Sequence, residues 1–166
     1  MNSQATGKTH EALIEAGINF VACLPDSALN KLYEPLSNDP RVTYVQVANE
    51  GGSVGVCMGA WIGGLRPALL MENTGFTLTC YALLCGPLTF GVLILLLMSY
   101  RGGFNDQRWF SVPVGWSTEP LLNALLVSYR VVHNPEKIRP AIVSAVKSMN
   151  SIKSPVSVVL GGSTLF

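Results

Sequence analysis

The sequence predicts an α/β domain in which a six-stranded parallel sheet carries helices on both faces. Two observations predict it. Short runs rich in aliphatic and β-branched residues alternate along the chain with helix-like segments. The most apolar run, at positions 92–98, has the continuous hydrophobic character of a strand that is buried on both faces. The 166 residues suffice for a single domain, 1–166, with a core of its own.

The predicted elements follow in order along the chain. Strands are expected over 19–24, 42–48, 67–71, 92–99, 129–132 and 156–160. Helices are expected from Asp26 or Ser27 as a cap to 36, and over 51–62, 77–84, 118–127 and 135–150. Thr118 as a cap with Pro120 in the first turn marks the start of the fourth helix. Positions 73–75 are expected to form a turn, and 101–116 an irregular loop.

The charge content narrows the classes of partner. Only 13% of the residues are charged, and eleven Lys and Arg against ten Asp and Glu leave a net charge of +1, whereas about 25% charged is usual. No basic face for nucleic acid is therefore predicted. Between positions 51 and 100 only Arg66 and Glu72 are charged. Glycine, proline and threonine interrupt this span, so it is assigned to a core or an interface and not to a membrane.

The cysteines and histidines indicate the compartment and argue against a metal centre. The four cysteines form no CxxC pair and lie in apolar sequence, which is typical of buried thiols in a cytoplasmic protein. The first 18 positions are polar and mixed in charge, unlike a signal or transit peptide. His10 and His133 have no cysteine or acidic cluster near them at ligand spacing, so no metal ligand is predicted in this chain.

Polar residues and glycines concentrate where the predicted strands end, which is where parallel sheets bind ligands. Glu50 stands out there, because it follows an apolar strand and precedes a helix with almost no charge. A poorly solvated carboxyl at this place is expected to have a raised pKa unless it is paired, which suits proton exchange with a ligand nitrogen. The alternative is a glutamate that only favours a helix N-terminus. No GxGxxG follows the first strand and no GxxxxGK[ST] occurs, so dinucleotide-binding and P-loop signatures are absent.

Three segments in order carry a family resemblance. They are 47–55 with Asn49-Glu50-Gly51, 67–76 with Asn73-Thr74-Gly75, and Ser99-Tyr100-Arg101-Gly102. Together with 24–29, they resemble the pyrimidine-binding (PYR) domain of thiamine-diphosphate-dependent 2-oxo acid decarboxylases. The chain looks most like sulfopyruvate decarboxylase alpha subunits and the N-terminal half of phosphonopyruvate decarboxylases, over roughly 9–161. Phe104-Asn105, 112–115 and 120–125 fit the sulfopyruvate branch better, and 104–110 lacks the histidine of the other branch.

The resemblance implies roles for particular residues. Glu50 is implied to be catalytic and to bind the cofactor, through a hydrogen bond to N1′ of its aminopyrimidine ring. Asn73, Thr74 and Gly75 match the loop near the cofactor, and Asp26, Ser27 and Arg101 are implied to contact substrate. From the residues alone the alternatives stay open: a strand-to-helix turn at 73–75, a helix cap at 26–27 and a surface salt bridge at Arg101.

The implied activity is that of a carbon–carbon lyase acting on a 3-sulfo- or 3-phosphono-type 2-oxo acid. In the family, a domain with a Gly-Asp-Gly motif holds the cofactor's diphosphate with Mg²⁺, and this chain has no such motif. A separate diphosphate-binding beta subunit is therefore expected to carry the Mg²⁺, with self-association of PYR domains into an α2β2 or larger assembly. The charge-poor span 51–100 would then be part core and part interface. The alternative is a PYR-fold binding or regulatory module without catalysis.

Overall fold

The computed structural model describes residues 1–103 and 106–165, so the Phe104-Asn105 pair quoted above lies outside the described residues. Six strands form one sheet in the order β2-β1-β3-β4-β6-β5. They are β1 (Phe20–Cys23), β2 (Thr43–Gln46), β3 (Pro67–Glu72), β4 (Leu95–Ser99), β5 (Ser128–Val132) and β6 (Val156–Leu160). All neighbouring strands are parallel. The predicted fold class, a six-stranded parallel sheet between helices, is confirmed.

Within residues 1–103 and 106–165, six α-helices cover the two faces of the sheet. They are α1 (Ser3–Glu15), α2 (Asn30–Ser37), α3 (Glu50–Ile62), α4 (Asn73–Leu83), α5 (Val112–Ala124) and α6 (Ile138–Ile152). A π-helical turn, Leu84–Leu88, extends α4, and short 3₁₀ turns lie at Trp109–Ser111, Pro135–Lys137 and Gly162–Thr164. One core contains residues of α1, α2 and α6, and the other contains residues of α3, α4 and α5.

The central strands are buried because their side chains face both cores alternately. Leu95 and Leu97 of β4 belong to the core of α1, α2 and α6, while Leu96 and Met98 belong to the opposite core. The edge strands β2 and β5 are partly exposed, which fits their more polar sequences. The continuous apolar run that predicted a central strand is therefore explained by burial on both faces.

The helix α1 was not predicted, because its sequence is polar and has only a few buried positions. Asn2 caps it, since its side-chain oxygen accepts a 2.8 Å hydrogen bond from the amide of Ala5. Ala5, Ala12 and Leu13 face the core and are fully buried. A narrow stripe of small and aliphatic residues thus suffices to dock this helix.

Two predicted boundaries were wrong for a common reason. Asn73-Thr74-Gly75 is the first turn of α4 and not a separate turn. Helix α5 begins at Val112, so the irregular loop is shorter than expected and Thr118 lies inside the helix instead of capping it. Asn73 prefers turns and Thr118 prefers helix caps, but the hydrogen bond between these two distant residues overrides both local preferences.

The contact between Gly102 and Gly115 fixes the start of α5. Gly102 has φ +72°, and a methyl group there would overlap the carbonyl of Ser111. A methyl group at Gly115 would in turn overlap the carbonyl group of Gly102. The two backbones therefore touch, which brings the loop after β4 directly onto α5.

The charge-poor span 51–100 forms α3, β3, α4 and β4. None of the helices in the described part of the chain combines the length and the apolar character that crossing a bilayer requires. Large apolar side chains are nevertheless exposed along this layer: Val56, Ile62, Leu78, Tyr81, Leu84 and Phe90. The surplus of apolar residues thus lies partly in the core and partly on one surface of the molecule.

Candidate functional site

The carboxyl ends of four neighbouring strands bring charged residues to one edge of the sheet. Asp26 follows β1, Glu50 follows β2, Glu72 ends β3 and Arg101 follows β4. A hydrogen bond to Asp106 raises the pKa of Arg101, and the negative charges of Glu72 and Asp26 add to this effect. Most of the sequence-predicted site residues therefore gather at the edge where parallel sheets bind ligands.

Glu50 is the first residue of α3, and its side chain is half-buried. Asn49 caps the helix by accepting a 2.7 Å hydrogen bond from the amide of Gly52. A methyl group at Gly75 would overlap the Glu50 carboxyl, so the carboxyl lies against the backbone of α4. Glu50 and Gly75, predicted from separate segments, are thus in direct contact.

The Glu50 carboxyl has no hydrogen-bond donor among residues 1–103 and 106–165. An ionised carboxylate can accept several hydrogen bonds, and a half-buried one is stabilised by a donor that a ligand brings. The helix dipole of α3 favours negative charge at this position. The arrangement can therefore hold a ligand N–H, or exchange a proton with a ring nitrogen.

The run Gly51–Gly55 also has the G-x-S-x-G spacing of a hydrolase nucleophile elbow. Ser53 is fully buried inside α3, and its hydroxyl donates to the backbone carbonyl of Glu50. It does not lie on a strand-to-helix turn with an exposed hydroxyl, which such an elbow requires. Ser53 is therefore a helix-packing residue.

Asn73 is fully buried and braces three segments. Its side-chain nitrogen donates to the carbonyl of Arg101 at 2.9 Å and to the hydroxyl of Thr118 at 2.8 Å. Its side-chain oxygen accepts a 3.0 Å hydrogen bond from the Arg101 amide. The Asn73 side chain is thus committed to joining α4, α5 and the loop after β4.

Thr74 is exposed at the same edge. Its hydroxyl donates to a carboxylate oxygen of Glu72 at 2.8 Å. The hydroxyl oxygen still has room to accept a hydrogen bond from a ligand. Of the predicted Asn-Thr-Gly segment, Gly75 therefore lies against the Glu50 carboxyl, and the exposed Thr74 contacts Glu72.

Asp26 forms a tight local network. One carboxylate oxygen accepts from the amides of Ala28 and Leu29 at 2.6 and 2.8 Å. The other accepts from the hydroxyl of Tyr33 at 2.7 Å, and burial followed by the charge of Asp26 raises the pKa of that tyrosine. Asp26 thus holds the turn before α2, which begins only at Asn30, so the prediction that Asp26 or Ser27 caps this helix was wrong. Ser27 is exposed.

Arg101 is nearly buried, with 3% of its surface exposed, so it is not part of a surface salt bridge. Its guanidinium donates two hydrogen bonds to the carboxylate of Asp106, at 2.7 and 2.8 Å. Asp106 also accepts from the Gly102 amide, and the hydrogen bond from Arg101 holds the pKa of this carboxyl well below its usual range. Arg101 and Asp106 thus form a buried ion pair in which each charge balances the other.

Two residues of the loop after β4 belong to this edge although no role was predicted for them: Asp106 and Arg108. They line a cleft of about 540 Å³ together with Ser27 and Arg101. The sequence carries a weak signal for them, since this loop holds three charged residues after a long uncharged span. The spacing of the two residues in the sequence does not predict that Arg101 forms an ion pair with Asp106.

The cysteines agree only in part with the prediction of buried thiols. All four are free; Cys23 and Cys57 are buried, Cys80 is partly buried and Cys85 is exposed. Cys85 lies in the π-helical turn, which carries it to the surface. Burial raises the pKa of the Cys57 thiol to about 12, so this thiol is a poor nucleophile at neutral pH.

Comparison with known proteins adds the evolutionary context. No family model matches the chain. The sulfopyruvate decarboxylase subunit alpha of Methanococcus maripaludis is 27% identical over 156 residues, which cover 94% of this chain and 93% of that one. The phosphonopyruvate decarboxylase of Streptomyces viridochromogenes is 36% identical over 59 residues, or 36% of this chain and 15% of that one.

A solved structure matches the fold. It is the 2-oxoglutarate:ferredoxin oxidoreductase from Magnetococcus marinus with 2-oxoglutarate, coenzyme A and succinyl-CoA bound, with a TM-score of 0.76 and 17% identity. The match covers 98% of this chain and 29% of that one, so the whole chain corresponds to one part of a larger protein. Over nearly its whole length the chain is therefore similar to a sulfopyruvate decarboxylase alpha subunit, which confirms the family resemblance inferred from its sequence.

Proposed function

We propose that this chain is the alpha subunit of a thiamine-diphosphate-dependent decarboxylase that acts on a 3-sulfo- or 3-phosphono-type 2-oxo acid. Its product is an aldehyde together with CO₂, which makes the assembly a carbon–carbon lyase. The chain provides the pyrimidine side of the cofactor site. The similarity to a named alpha subunit over 94% of the chain supports this assignment.

The observation that carries the proposal is the contact between Glu50 and Gly75. A carboxyl without a donor in the described residues lies beside a position where any side chain would cover it. Such a carboxyl fits an aminopyrimidine ring, because the ring nitrogen N1′ can share a proton with a carboxyl in a poorly hydrated site. The residues present therefore suit the cofactor that the family resemblance implies.

Each residue of the site has a distinct part in the proposal. When bound, thiamine diphosphate supplies the electron sink for loss of CO₂. One carboxyl oxygen of Glu50 shares a proton with the ring nitrogen. Gly75 keeps that carboxyl uncovered, and Thr74 offers a hydroxyl at the same edge. Asn73 fixes the first turn of α4, and with it Gly75, through its three hydrogen bonds.

A partner completes the proposed enzyme. We assign diphosphate and Mg²⁺ binding to a separate beta subunit, which the naming of the relatives as alpha subunits supports. The exposed apolar side chains of α3 and α4 support an interface there. PYR domains would also pair with one another in an α2β2 or larger assembly. The four free cysteines agree with a cytoplasmic location.

The test is reconstitution. The chain is co-purified with a candidate beta subunit, and CO₂ release from sulfopyruvate and phosphonopyruvate is followed with thiamine diphosphate and Mg²⁺. We expect Glu50→Gln to lower kcat by about 10²- to 10⁴-fold, because it removes the shared proton. Glu34→Gln, an exposed change on α2, serves as the matched control.

The outcomes separate the alternatives. Decarboxylation that survives Glu50→Gln unchanged would sink the proposed role of this residue. A complex that binds thiamine diphosphate but releases no CO₂ from either acid would favour a non-catalytic binding or regulatory module. Activity with only one of the two acids would identify the substituent at carbon 3.

A further inference from the structure

A second group of residues at the carboxyl edge lines the cleft of about 540 Å³ introduced above. The cleft lies on the side of the sheet that carries α1 and α2, since Ala28 and Leu165 of that core also line it. Its polar wall consists of Ser27, Arg101, Asp106, Gln107 and Arg108. Nothing in the described function of Glu50 and Gly75 uses this wall.

The two arginines of the cleft differ in what balances their charge. Arg101 is held by two hydrogen bonds to Asp106, and its side chain is only 4% exposed. Asp26, the carboxylate next to the cleft, is occupied by two backbone amides and by the hydroxyl of Tyr33. These acidic groups are therefore satisfied within the chain and do not neutralise Arg108.

Arg108 is exposed and weakly engaged. One of its terminal nitrogens donates to the hydroxyl of Ser27 at 3.3 Å, and no carboxylate of the described residues forms an ion pair with it. Its backbone is fixed, because its amide donates to Asp106 at 3.1 Å and its carbonyl accepts from Ser111 at 2.9 Å. A positioned guanidinium with spare donors thus faces the cleft beside a hydroxyl.

We propose that Arg108, together with Ser27, binds the acidic group at carbon 3 of the substrate. The inference rests on the proposed decarboxylase function, because that function supplies a substrate with a tetrahedral oxyanion on carbon 3, the carbon next to its keto group. A guanidinium fork and a neighbouring hydroxyl match the several oxygens of a sulfonate or phosphonate. Arg101, which the resemblance implies to contact substrate, lines the same cleft, where two hydrogen bonds to Asp106 hold its guanidinium.

The direct test measures anion binding by calorimetry on the chain in complex with its beta subunit, with methanesulfonate, methylphosphonate and acetate as probes. We expect the two tetrahedral anions to bind more tightly than acetate, and Arg108→Gln to weaken them about tenfold or more. Arg108→Lys keeps the charge but loses the fork, so it should recover binding only in part. Arg130→Gln, an exposed change on the edge strand β5, is the matched control and should leave binding unchanged.

The second measurement uses the reconstituted enzyme. Arg108→Gln should lower kcat/KM for the 3-sulfo or 3-phosphono acid about tenfold or more, while kcat/KM for pyruvate, which lacks the group, stays within about twofold. A change that only disturbed the fold would lower both values together. Equal losses, or anion binding that survives Arg108→Gln, would overturn the proposal. If the complex releases no CO₂ but the anions still need Arg108, the decarboxylase function fails and the anion site stands.

Discussion

The carboxyl group of Glu50, at the start of α3, lies against the α-carbon of Gly75 in the first turn of α4. The two residues belong to segments that follow different strands, β2 and β3, and the sheet places β1 between those strands. The contact exists because α3 and α4 pack side by side on one face of the sheet. The position of the Glu50 carboxyl relative to the backbone of Gly75 is thereby fixed by one pair of packed helices.

Gly75→Ala is predicted to disable the site while leaving the fold largely intact. The added methyl group overlaps the Glu50 carboxyl, which must rotate away from its position. Because that carboxyl is the end of a flexible and half-exposed side chain, the cost in stability is expected to be about 1 kcal/mol. Decarboxylation by the reconstituted enzyme should fall at least as far as with Glu50→Gln.

Gly7→Ala is the control for that experiment. Gly7 lies in α1, and a methyl group there meets no atom within 4 Å. Alanine should therefore raise the free energy of unfolding by about 0.5–1 kcal/mol through its helix propensity, with unchanged activity. Full activity of Gly75→Ala, with the fold confirmed by circular dichroism, would contradict the assigned role of the Glu50 contact.

Asn73→Ala is predicted to destabilise the chain by about 3 kcal/mol. It removes three buried hydrogen bonds and leaves the amide and carbonyl of Arg101 without these partners. Urea unfolding would measure the loss. Thr118→Val removes one of the three bonds of Asn73 and also the hydrogen bond that the Thr118 hydroxyl donates to the carbonyl of Val114. It should cost about 1–2 kcal/mol, and Thr118→Ser should be nearly neutral. A smaller loss for Asn73→Ala than for Thr118→Val would refute the bracing role.

The same asparagine explains where prediction from the sequence succeeds and where it fails. The strand Val156–Leu160 was predicted correctly, because continuous burial on two faces leaves a local apolar signature. Asn73 was assigned to a turn and Thr118 to a cap, which are the local preferences of both residues. Their actual contact joins positions 45 residues apart, and no local pattern encodes it.

The candidate site was predictable to a similar extent. Glu50 stands out because a lone carboxylate interrupts an apolar region, whereas its contact with Gly75 is visible only in the structure. The pairing of Arg101 with Asp106 depends on the path of the loop after β4. The glycines of this loop allow many backbone conformations, so the sequence does not determine that path. Charged residues were therefore easy to detect, whereas their partners required the structure.

The stability of the chain is predicted to fall in acid. The hydrogen bond from Arg101 lowers the pKa of Asp106, and Arg41 acts likewise on Asp39. Because the folded-state pKa lies below the unfolded value of about 3.9, the stabilisation is complete above that pH and is lost as the pH falls through the lower pKa. Urea midpoints should therefore decline steeply below about pH 4.

Asp106→Asn isolates this contribution. The variant removes the carboxylate that forms two hydrogen bonds with the buried Arg101, so it should be about 3 kcal/mol less stable at pH 7. Its stability should also decline less between pH 4 and pH 2 than that of the unaltered chain, because the titrating carboxyl is gone. Parallel curves for the two proteins across this range would contradict the assignment.

The exposed apolar layer predicts that the chain expressed without its partner self-associates or aggregates. Tyr81 and Phe90 are 78% and 71% exposed, and the span around them carries no charge from 73 to 100. The double change Tyr81→Lys and Phe90→Lys should increase the monomer fraction in light scattering and weaken capture of the beta subunit. Ile152→Lys on α6, in the opposite layer, should change neither. A fully monomeric unaltered chain would argue against the interface.

The strand order has a consequence for synthesis on the ribosome. Strand β6 lies between β4 and β5, although it is the last of the six to be made. Until Val156–Leu160 emerges, β4 has an unpaired apolar edge and β5 has no neighbour in the sheet. The nascent chain therefore leaves the apolar edge of β4 unpaired from the completion of Ser99 until β6 emerges, and a truncation before β6 should be captured by chaperones or degraded.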